Sequence, residues 1–286
     1  MRIDLHTHST ASDGTDSPAT LVAAAGTAGL DVMALTDHDS TEGWALAASA
    51  LPAGLTLVPG IELSCRWNPP SGDRRISLHL LGYLVDPAFP ALAAELARLK
   101  ENRLGRGQRM VAAMVTAGVP VSWEHVREFA AGGSVGRPHI ARALVKAGLV
   151  GSVDEAFARY LNDSSPYHVP KDDVEVLAGI RLVLAAGGVP VFAHPFARRR
   201  GRVVDEAAIA SMAAAGLAGL EVDHADHDGA DRERLRALAA DLGLLITGSS
   251  DYHGANKTVG LGAETTEPGV YERLVARATG SAPIHG

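Results

Sequence analysis

The sequence has 286 residues, of which 47% are hydrophobic, and a formal net charge of −7 at neutral pH. This length suits one large α/β domain or two small ones. It contains no apolar run of the roughly 18 residues that a membrane span needs, and its negative charge argues against broad binding of duplex nucleic acid. Met1 leads directly into a strand-like segment and the single cysteine has no disulfide partner, so we expect no signal peptide and a cytoplasmic protein.

Strand-like and helix-like segments alternate towards both ends of the chain. The predicted strands cover residues 3–8, 31–38, 55–64, 77–85, 189–194, 217–224 and 244–249. Predicted helices cover residues 18–29, about 41–50, 204–215 and 232–242. Strands separated by helices of roughly 10–15 residues indicate parallel βαβ units, and therefore an α/β fold.

The middle of the chain has a different pattern. Few β-branched runs occur between residues 88 and 173, and helical periodicity is strong over residues 89–116 and 152–160. We therefore predict a barrel formed by residues 1–87 and 174–286, which carries a metal site. Residues 88–173 would form a helical insertion that contributes substrate-binding residues.

Histidines and acids stand at the ends of most predicted strands. His6 and His8 are two residues apart on the first strand, so their side chains point to the same side. Asp251 and His253 repeat this spacing after the last strand. The first loop and the other strands supply further candidates: Asp13, Asp37, His38, Glu62, His79 and His194. Because functional groups collect at the carboxyl ends of barrel strands, these residues predict a metal site there.

Five segments of the chain resemble, in the same order, the motifs of the PHP (polymerase and histidinol phosphatase) family. They are D-L-H-T-H-S at residues 4–9, T-D-H-D at 36–39, G-I-E at 60–62, A-H-P at 193–195 and S-D-Y-H-G at 250–254. The resemblance implies a distorted (β/α)7 barrel that holds two to three divalent metal ions. A mixed imidazole and carboxylate shell suits Mn, Fe or Zn and does not choose among them.

The resemblance also implies the ligand sets, position by position. The first metal would be held by His6, His8, Glu62 and Asp251. Glu62 would bridge to the second metal, which it would share with His79 and His194. The third metal would be held by Asp13, His38 and His253. Neighbouring strand residues face opposite ways, so Asp37 and His38 are not expected to bind the same metal. Asp37 would instead orient an imidazole or make an ordinary strand-end hydrogen bond.

Further residues are candidates for substrate binding. Arg137, in the segment G-R-P-H, resembles a phosphate-binding arginine of the PHP branch that contains 3′,5′-nucleoside bisphosphate phosphatases and exonucleases acting on RNA 5′ ends. A helix-surface arginine is the alternative. The other candidates are His139, Lys171, Arg198, His224 and His227. His227 is also a candidate proton donor to the leaving group, and the basic run at residues 198–202 has a solvated loop as its alternative.

The predicted function is metal-dependent hydrolysis of a nucleotide phosphomonoester, and the preferred substrate is a 3′,5′-nucleoside bisphosphate. The positive charge of three divalent ions would exceed the negative charge of three ligand carboxylates, so the site would be locally positive. A hydroxide bridging two ions would attack phosphorus, and Glu62 and Asp251 would hold those ions. Alternatives are a 5′-3′ exonuclease on short RNA 5′ ends and a phosphatase of histidinol-phosphate type. A polymerase-associated proofreading module is disfavoured, because the chain has no companion domain. A non-catalytic metal-binding regulatory module is the alternative from another class.

Overall fold

Seven strands form a nearly closed, barrel-shaped sheet in the computed structural model, which describes residues 1–130 and 132–286. The strands, in chain order, are β1 (Ile3–Thr7), β2 (Val32–Leu35), β3 (Thr56–Trp67), β4 (Ile76–Tyr83), β5 (Val174–Glu175), β6 (Val189–Phe192), β7 (Gly219–Asp223), β8 (Leu245–Gly248) and β9 (Ile284–His285). The barrel order is β1-β2-β3-β4-β6-β7-β8, while β5 and β9 each pair with β3. Backbone contacts join the two ends of this order, since the His8 amide donates to the Tyr252 carbonyl at 2.9 Å.

The direction of β4 differs from the sequence-based prediction. Strands β1 to β3 are parallel, as are β6 to β8, but β4 is antiparallel to both β3 and β6. The cause is the short connection between β3 and β4, which is rich in proline and glycine and includes Gly72 with φ +78°. Such a turn permits a hairpin, whereas a parallel return requires a crossover of about a dozen residues or more. The prediction of parallel units is therefore wrong at β4.

Ten α-helices cover the sheet or form the insertion. They are α1 (Pro18–Thr27), α2 (Trp44–Ser49), α3 (Pro90–Thr116), α4 (Trp123–Ala130), α5 (Arg137–Lys146), α6 (Val153–Ala156), α7 (Val176–Ala185), α8 (Glu206–Ala214), α9 (Gly229–Leu242) and α10 (Pro268–Arg277), among the described residues. Local chemistry sets several of their ends: the Asp228 side chain caps α9, and Gly243, with φ +67°, ends it. In the described part of the chain, no helix combines the length and apolarity needed to cross a membrane.

Helix α3 connects two hydrophobic cores. Its first half places Leu92, Leu96 and Leu99 in the core that surrounds the barrel sheet. Its second half places Met110 and Met114 in a separate core with α4, α5 and α6. The spacing of three to four residues keeps each set on one helix face.

The insertion packs directly on the loop that follows β1. The Ser134 amide donates to the Ala11 carbonyl at 3.1 Å, and a Cβ on Gly133 would lie 2.4 Å from the Thr10 carbonyl oxygen. Only glycine fits such a close approach of two backbones. The insertion is thereby placed over the loop that carries Asp13.

Candidate metal centre

The nine predicted ligands lie together at one end of the barrel. Eight of them are buried and His79 is half-buried. Three groups have ligand atoms within 4.8 Å of one another: His6, His8, Glu62 and Asp251; His8, Asp13, His38 and His253; and His38, Glu62 and His79. The first group equals the first predicted set, and His194 contacts the third group through Glu62 at 3.0 Å. Two histidines also join a second group. His8 lies with the predicted ligands of the third metal, and His38 lies with Glu62 and His79 of the second.

Glu62 lies at the centre of this cluster, and its two oxygens face different histidines. Oε2 lies 3.1 Å from nitrogens of His6, His8 and His38. Oε1 lies 2.7 Å from His79 Nδ1 and 3.0 Å from His194 Nε2. Burial alone would raise the pKa of Glu62, but the imidazoles of His38, His79 and His6 outweigh it and hold the pKa well below its usual value. The carboxylate is therefore charged and faces two groups of ligands at once.

The donor atoms of the cluster fit divalent metal ions. Within the described residues, four of its buried atoms have no hydrogen-bond partner: Asp13 Oδ1, His38 Nδ1, His79 Nδ1 and Asp251 Oδ1. The Nε2 atoms of His6 and His8 face each other at 3.0 Å. Buried polar atoms in proteins are normally paired, and leaving one unpaired costs about 1–3 kcal/mol. A cation among these converging nitrogens and oxygens removes that cost, so the cluster fits a divalent metal centre.

Contacts behind the cluster set the tautomers of two histidines. His6 Nδ1 donates to Glu221 Oε1 at 2.9 Å, and His253 Nδ1 donates to the Asp251 carbonyl at 2.8 Å. Each contact places the ring proton on Nδ1 and leaves the Nε2 lone pair for a metal. Burial, together with His8 and Lys257, lowers the pKa of His253 to about 4 and so keeps that ring neutral.

Two buried acids that support the cluster were missed in the sequence. Glu221 also accepts from the His194 amide at 2.8 Å and from the Ser249 hydroxyl. Asp4 accepts from the Ser250 amide at 3.0 Å and from its hydroxyl at 2.6 Å. The available signal was a charged residue within an apolar strand, since Glu221 lies between buried Leu220 and Val222.

Asp37 lies behind the loop that follows β1. Its carboxylate accepts from the Ser9 amide at 2.8 Å, from the Ser9 hydroxyl at 2.7 Å and from the Ser12 hydroxyl at 2.6 Å. Ser12 Oγ in turn lies 3.4 Å from His8 Nδ1. Asp37 thus reaches an imidazole of the cluster through a serine.

Backbone strain is concentrated at the cluster. His194, Asp251 and Asp39 have φ values of +34°, +50° and +52°. Non-glycine residues rarely adopt this left-handed region, which costs on the order of 1–3 kcal/mol and persists only where the surroundings fix it. Here the left-handed backbone conformation directs the side chains of two predicted ligands, His194 and Asp251, towards the other ligands.

A cationic cavity of about 50 Å³ lies beside the cluster, between the barrel and the insertion. It is lined by Asp39, Leu99, Asn102, Arg103, Arg106, Arg109, Pro170, Lys171, Asp172 and Asp173. Arg103 occupies the side of the cavity that faces β2 and β3, because its Nε lies 2.5 Å from Asp39 Oδ2 and its Nη2 donates to Ser64 Oγ at 2.7 Å. Asp39 follows the predicted ligand His38 directly.

The cations around the cavity repel one another. Burial, followed by Arg137 and Arg103, lowers the pKa of Arg106 to about 10. Burial and the same cluster of arginines lower the pKa of Lys171 to about 8. The arginines at positions 103, 106 and 109 were not predicted, although a spacing of three places them near one helix face. The lining contains four cationic side chains and three aspartates, so it carries a net positive charge.

One of the three predicted substrate residues of the insertion lies at this cavity. Lys171 lines it, whereas Arg137 Nη1 donates to the Leu161 carbonyl at 2.8 Å and lies 3.3 Å from Asp163 Oδ1. His139 is buried, and its Nδ1 accepts from the Gly136 amide at 2.9 Å. In the neutral ring the proton of His139 is therefore on Nε2, which acts as a donor.

Two predicted residues in the loops after β6 and β7 have protein partners of their own. Arg198 pairs with Asp231 and lies over the ring of Phe196, and it is Arg200 that contacts Asp251 Oδ2, at 2.6 Å. His227 donates from Nδ1 to the Val222 carbonyl at 2.8 Å, and its Nε2 accepts from the Phe196 amide at 3.1 Å. Both ring nitrogens of His227 are therefore hydrogen-bonded to the backbone, and these bonds fasten the loop.

His224 lies at the cluster itself. Its Nδ1 accepts from the Asp226 amide at 3.0 Å, so the ring proton is on Nε2. That nitrogen lies 3.3 Å from Asp251 Oδ2. His224 therefore supports a predicted metal ligand from the outer side.

Known proteins share both this sequence and this architecture. Residues 4–117 match the PHP domain family. A 3′,5′-nucleoside bisphosphate phosphatase of Chromobacterium violaceum is 34% identical over 253 residues, which cover 88% of this chain and 87% of that protein. The 5′-3′ exoribonuclease Rnm of Salmonella typhimurium is 31% identical over 280 residues, which cover 93% of this chain and 89% of that protein.

A solved structure agrees with these similarities. A Bifidobacterium adolescentis protein, provisionally assigned as a metal-dependent phosphoesterase, superposes with a TM-score of 0.88 at 35% identity and covers 97% of this chain and 96% of its own. The cluster supplies the ligands for divalent metals that such an enzyme requires. The chain therefore belongs to the PHP-domain family of metal-dependent phosphoesterases, enzymes that hydrolyse phosphate esters.

Proposed function

We propose that this enzyme removes a phosphate group from a nucleotide that carries a second phosphate, and that a 3′,5′-nucleoside bisphosphate is the substrate that fits best. The observation that carries the proposal is the cationic cavity, whose lining residue Asp39 directly follows the predicted metal ligand His38. One phosphate would lie at the metals and the other in the cavity. A simple phosphate ester would leave the cavity unused.

The metal ligands in this proposal are the nine residues of the cluster. We assign His6, His8, Glu62 and Asp251 to the first ion, Glu62, His79 and His194 to the second, and Asp13, His38 and His253 to the third. Mn, Fe and Zn all suit such a shell. When bound, such ions lower the pKa of water and neutralise charge on phosphoryl oxygens. Glu62 and Asp251 would hold the ions nearest to the reacting phosphate.

The size and charge of the cavity support a second phosphate. A cavity needs a volume of about 10–15 Å³ to hold one water. The cavity beside the cluster has about 50 Å³ and therefore has room for a few waters or for one phosphate group. Arg106 is 9% exposed, and its Nε donates to the Val169 carbonyl at 2.7 Å, which orients the guanidinium. A guanidinium binds phosphate through paired hydrogen bonds, and Lys171 adds a point charge. The anion would relieve the repulsion between these cations.

The charge of Arg137 also acts on this cavity. Its guanidinium is among the causes that lower the pKa of Arg106 and of Lys171. Arg137 is not a lining residue of the cavity, and its guanidinium contacts Leu161 and Asp163 instead. We therefore assign Arg106 and Lys171 to direct phosphate contact, and Arg137 to a supporting charge.

A short RNA with a 5′ phosphate is the second candidate. The observation that favours it is the similarity to the Salmonella typhimurium exoribonuclease over nearly the whole chain. An RNA 5′ end also presents two phosphates one nucleotide apart, so it makes the same demand on the cavity. A phosphatase of histidinol-phosphate type is less well supported, because its substrate has a single phosphate. A non-catalytic module is disfavoured by the presence of all nine ligand residues.

A substrate panel tests the proposal. Protein stripped with a chelator would be reloaded with Mn²⁺ and offered a nucleoside 3′,5′-bisphosphate, the matching 3′-monophosphate, a 5′-phosphorylated RNA pentamer and histidinol phosphate. We expect the highest kcat/KM for the bisphosphate and no turnover by the stripped protein. A preference for the monophosphate or for histidinol phosphate would refute the bisphosphate proposal. A preference for the pentamer would favour the exoribonuclease.

A further inference from the structure

Two cations contact the outer oxygen of Asp251. Lys257 Nζ and Arg200 Nη2 each lie 2.6 Å from Asp251 Oδ2. The other oxygen, Oδ1, faces the cluster and lies 3.3 Å from His8 Nε2 and 3.5 Å from His6 Nε2. The Asp251 carboxylate therefore lies between two predicted metal ligands, His6 and His8, and two positive charges.

The backbone places both cations at the mouth of the barrel. Arg200 ends the 3₁₀ turn Arg198–Arg200 after β6, and its Nε donates to Asp226 Oδ2 at 2.6 Å. Lys257 follows the 3₁₀ turn Gly254–Asn256 after β8. Their side chains are 33% and 29% exposed, so both can be reached by a ligand. Two salt-bridged aspartates and two cations form an electrically balanced set here.

This pair lies apart from the cationic cavity. Arg103 of the cavity contacts Asp39 and Ser64, which belong to the β2 and β3 side of the barrel. Arg200 and Lys257 come from the loops after β6 and β8. The two groups of cations therefore approach the cluster from different strands. If the cavity takes the second phosphate, the pair beside Asp251 is left for the phosphate that reacts.

We propose that Arg200 and Lys257 form an anion subsite that binds non-bridging oxygens of the phosphoryl group being hydrolysed. This inference rests on the proposed function and adds substrate-binding residues to it. Arg200 Nη1 has no partner among the described residues, while Nε and Nη2 are held by Asp226 and Asp251. The Lys257 ammonium has three protons, and its contacts are the carbonyl and Oδ2 of Asp251. Each cation thus keeps a donor while Asp251 fixes its position.

Charge balance gives the physical reason for such a subsite. A phosphate dianion that approaches the cluster meets the carboxylates of Glu62, Asp251 and Asp13. Repulsion from Asp251 falls once that carboxylate shares its charge with a metal, and the two cations then present net positive charge to the phosphate. Charge-assisted hydrogen bonds of this kind are about twice as strong as neutral ones.

The test uses inorganic phosphate as the probe. We would measure its dissociation constant by calorimetry for Mn²⁺-loaded Arg200→Met and Lys257→Met, and count bound Mn²⁺ per chain by elemental analysis. Arg198→Met is the matched control, because Arg198 lies in the same turn and pairs with Asp231. Lys100→Met, which removes a surface cation paired with Glu42, is the second control. We expect phosphate to bind about tenfold more weakly to each test variant, with unchanged Mn²⁺.

Three results would overturn the subsite. They are unchanged phosphate binding, an equal loss in the controls, or weaker binding that follows a loss of Mn²⁺, which would make the two cations positioning residues for Asp251. Arg200→Lys should recover part of the affinity, because it restores the charge without the planar fork. Phosphate binding does not depend on the choice of nucleotide. Failure of the bisphosphate proposal would thus appear in the substrate panel and leave this measurement intact.

Discussion

Glu221 offers a sharp test of how the chain prepares its metal ligands. Its side chain is fully buried and accepts from His6 Nδ1 at 2.9 Å and from the His194 amide at 2.8 Å. Glu221→Gln keeps the shape but removes the charge and replaces one acceptor oxygen with a donor. Loss of such a partner behind a metal-bound histidine typically weakens metal binding 10- to 100-fold. We therefore expect a loss of roughly 1.4–2.8 kcal/mol in the binding of the ion held by His6.

The assay is a calorimetric titration of Mn²⁺ into chelator-stripped protein, with circular dichroism to verify the fold. Glu206→Gln is the control, because Glu206 is an exposed glutamate paired with Arg234. The control should bind Mn²⁺ like the unchanged protein. An affinity for Glu221→Gln within about twofold of the control would refute the reasoning, since it would mean that the charge behind His6 does not matter.

Three further changes have defined outcomes. Glu62→Gln should lose most bound metal and most activity with an unchanged circular dichroism spectrum, and full metal content would exclude a bridging role. Because burial and nearby arginines lower the pKa of Lys171 to about 8, kcat/KM for a bisphosphate should fall by up to about tenfold per pH unit above that value as the ammonium loses its proton. An aryl phosphate should lack this decline, and so should Lys171→Met. His227→Leu should cost about 1–3 kcal/mol of stability in urea denaturation by unpairing two backbone groups, whereas a changed pH profile of kcat would restore His227 as a proton donor.

The clustering of these histidines and acids was predictable because most of them lie at or near strand ends. His6 and Glu62 lie on strands, whose alternation fixes the direction of each side chain, and His8 directly follows β1. Closure of the barrel is then enough to bring the ends of these strands close together. The exception was β4, which a hairpin makes antiparallel to β3.

Other features depend on contacts that no local pattern encodes. Which arginine of the run at residues 198–202 reaches the cluster is decided by a 3₁₀ turn, which directs Arg198 to Asp231 and Arg200 to Asp251. The cationic cavity arises because one face of α3 packs beside the segment around Lys171, more than sixty residues later in the chain. Both features follow from tertiary packing, which sequence periodicity does not specify.

The most direct test of the proposed function is the specificity of Arg106→Met. This change removes a buried guanidinium of the cavity and leaves all nine predicted metal ligands in place. A paired, charge-assisted contact contributes roughly 1.5–3 kcal/mol, which corresponds to about 10- to 100-fold. We predict that kcat/KM for a 3′,5′-nucleoside bisphosphate falls by that factor, while kcat/KM for the matching 3′-monophosphate stays within about twofold. An equal fall for both substrates, or no fall for either, would contradict recognition of a second phosphate by this cavity.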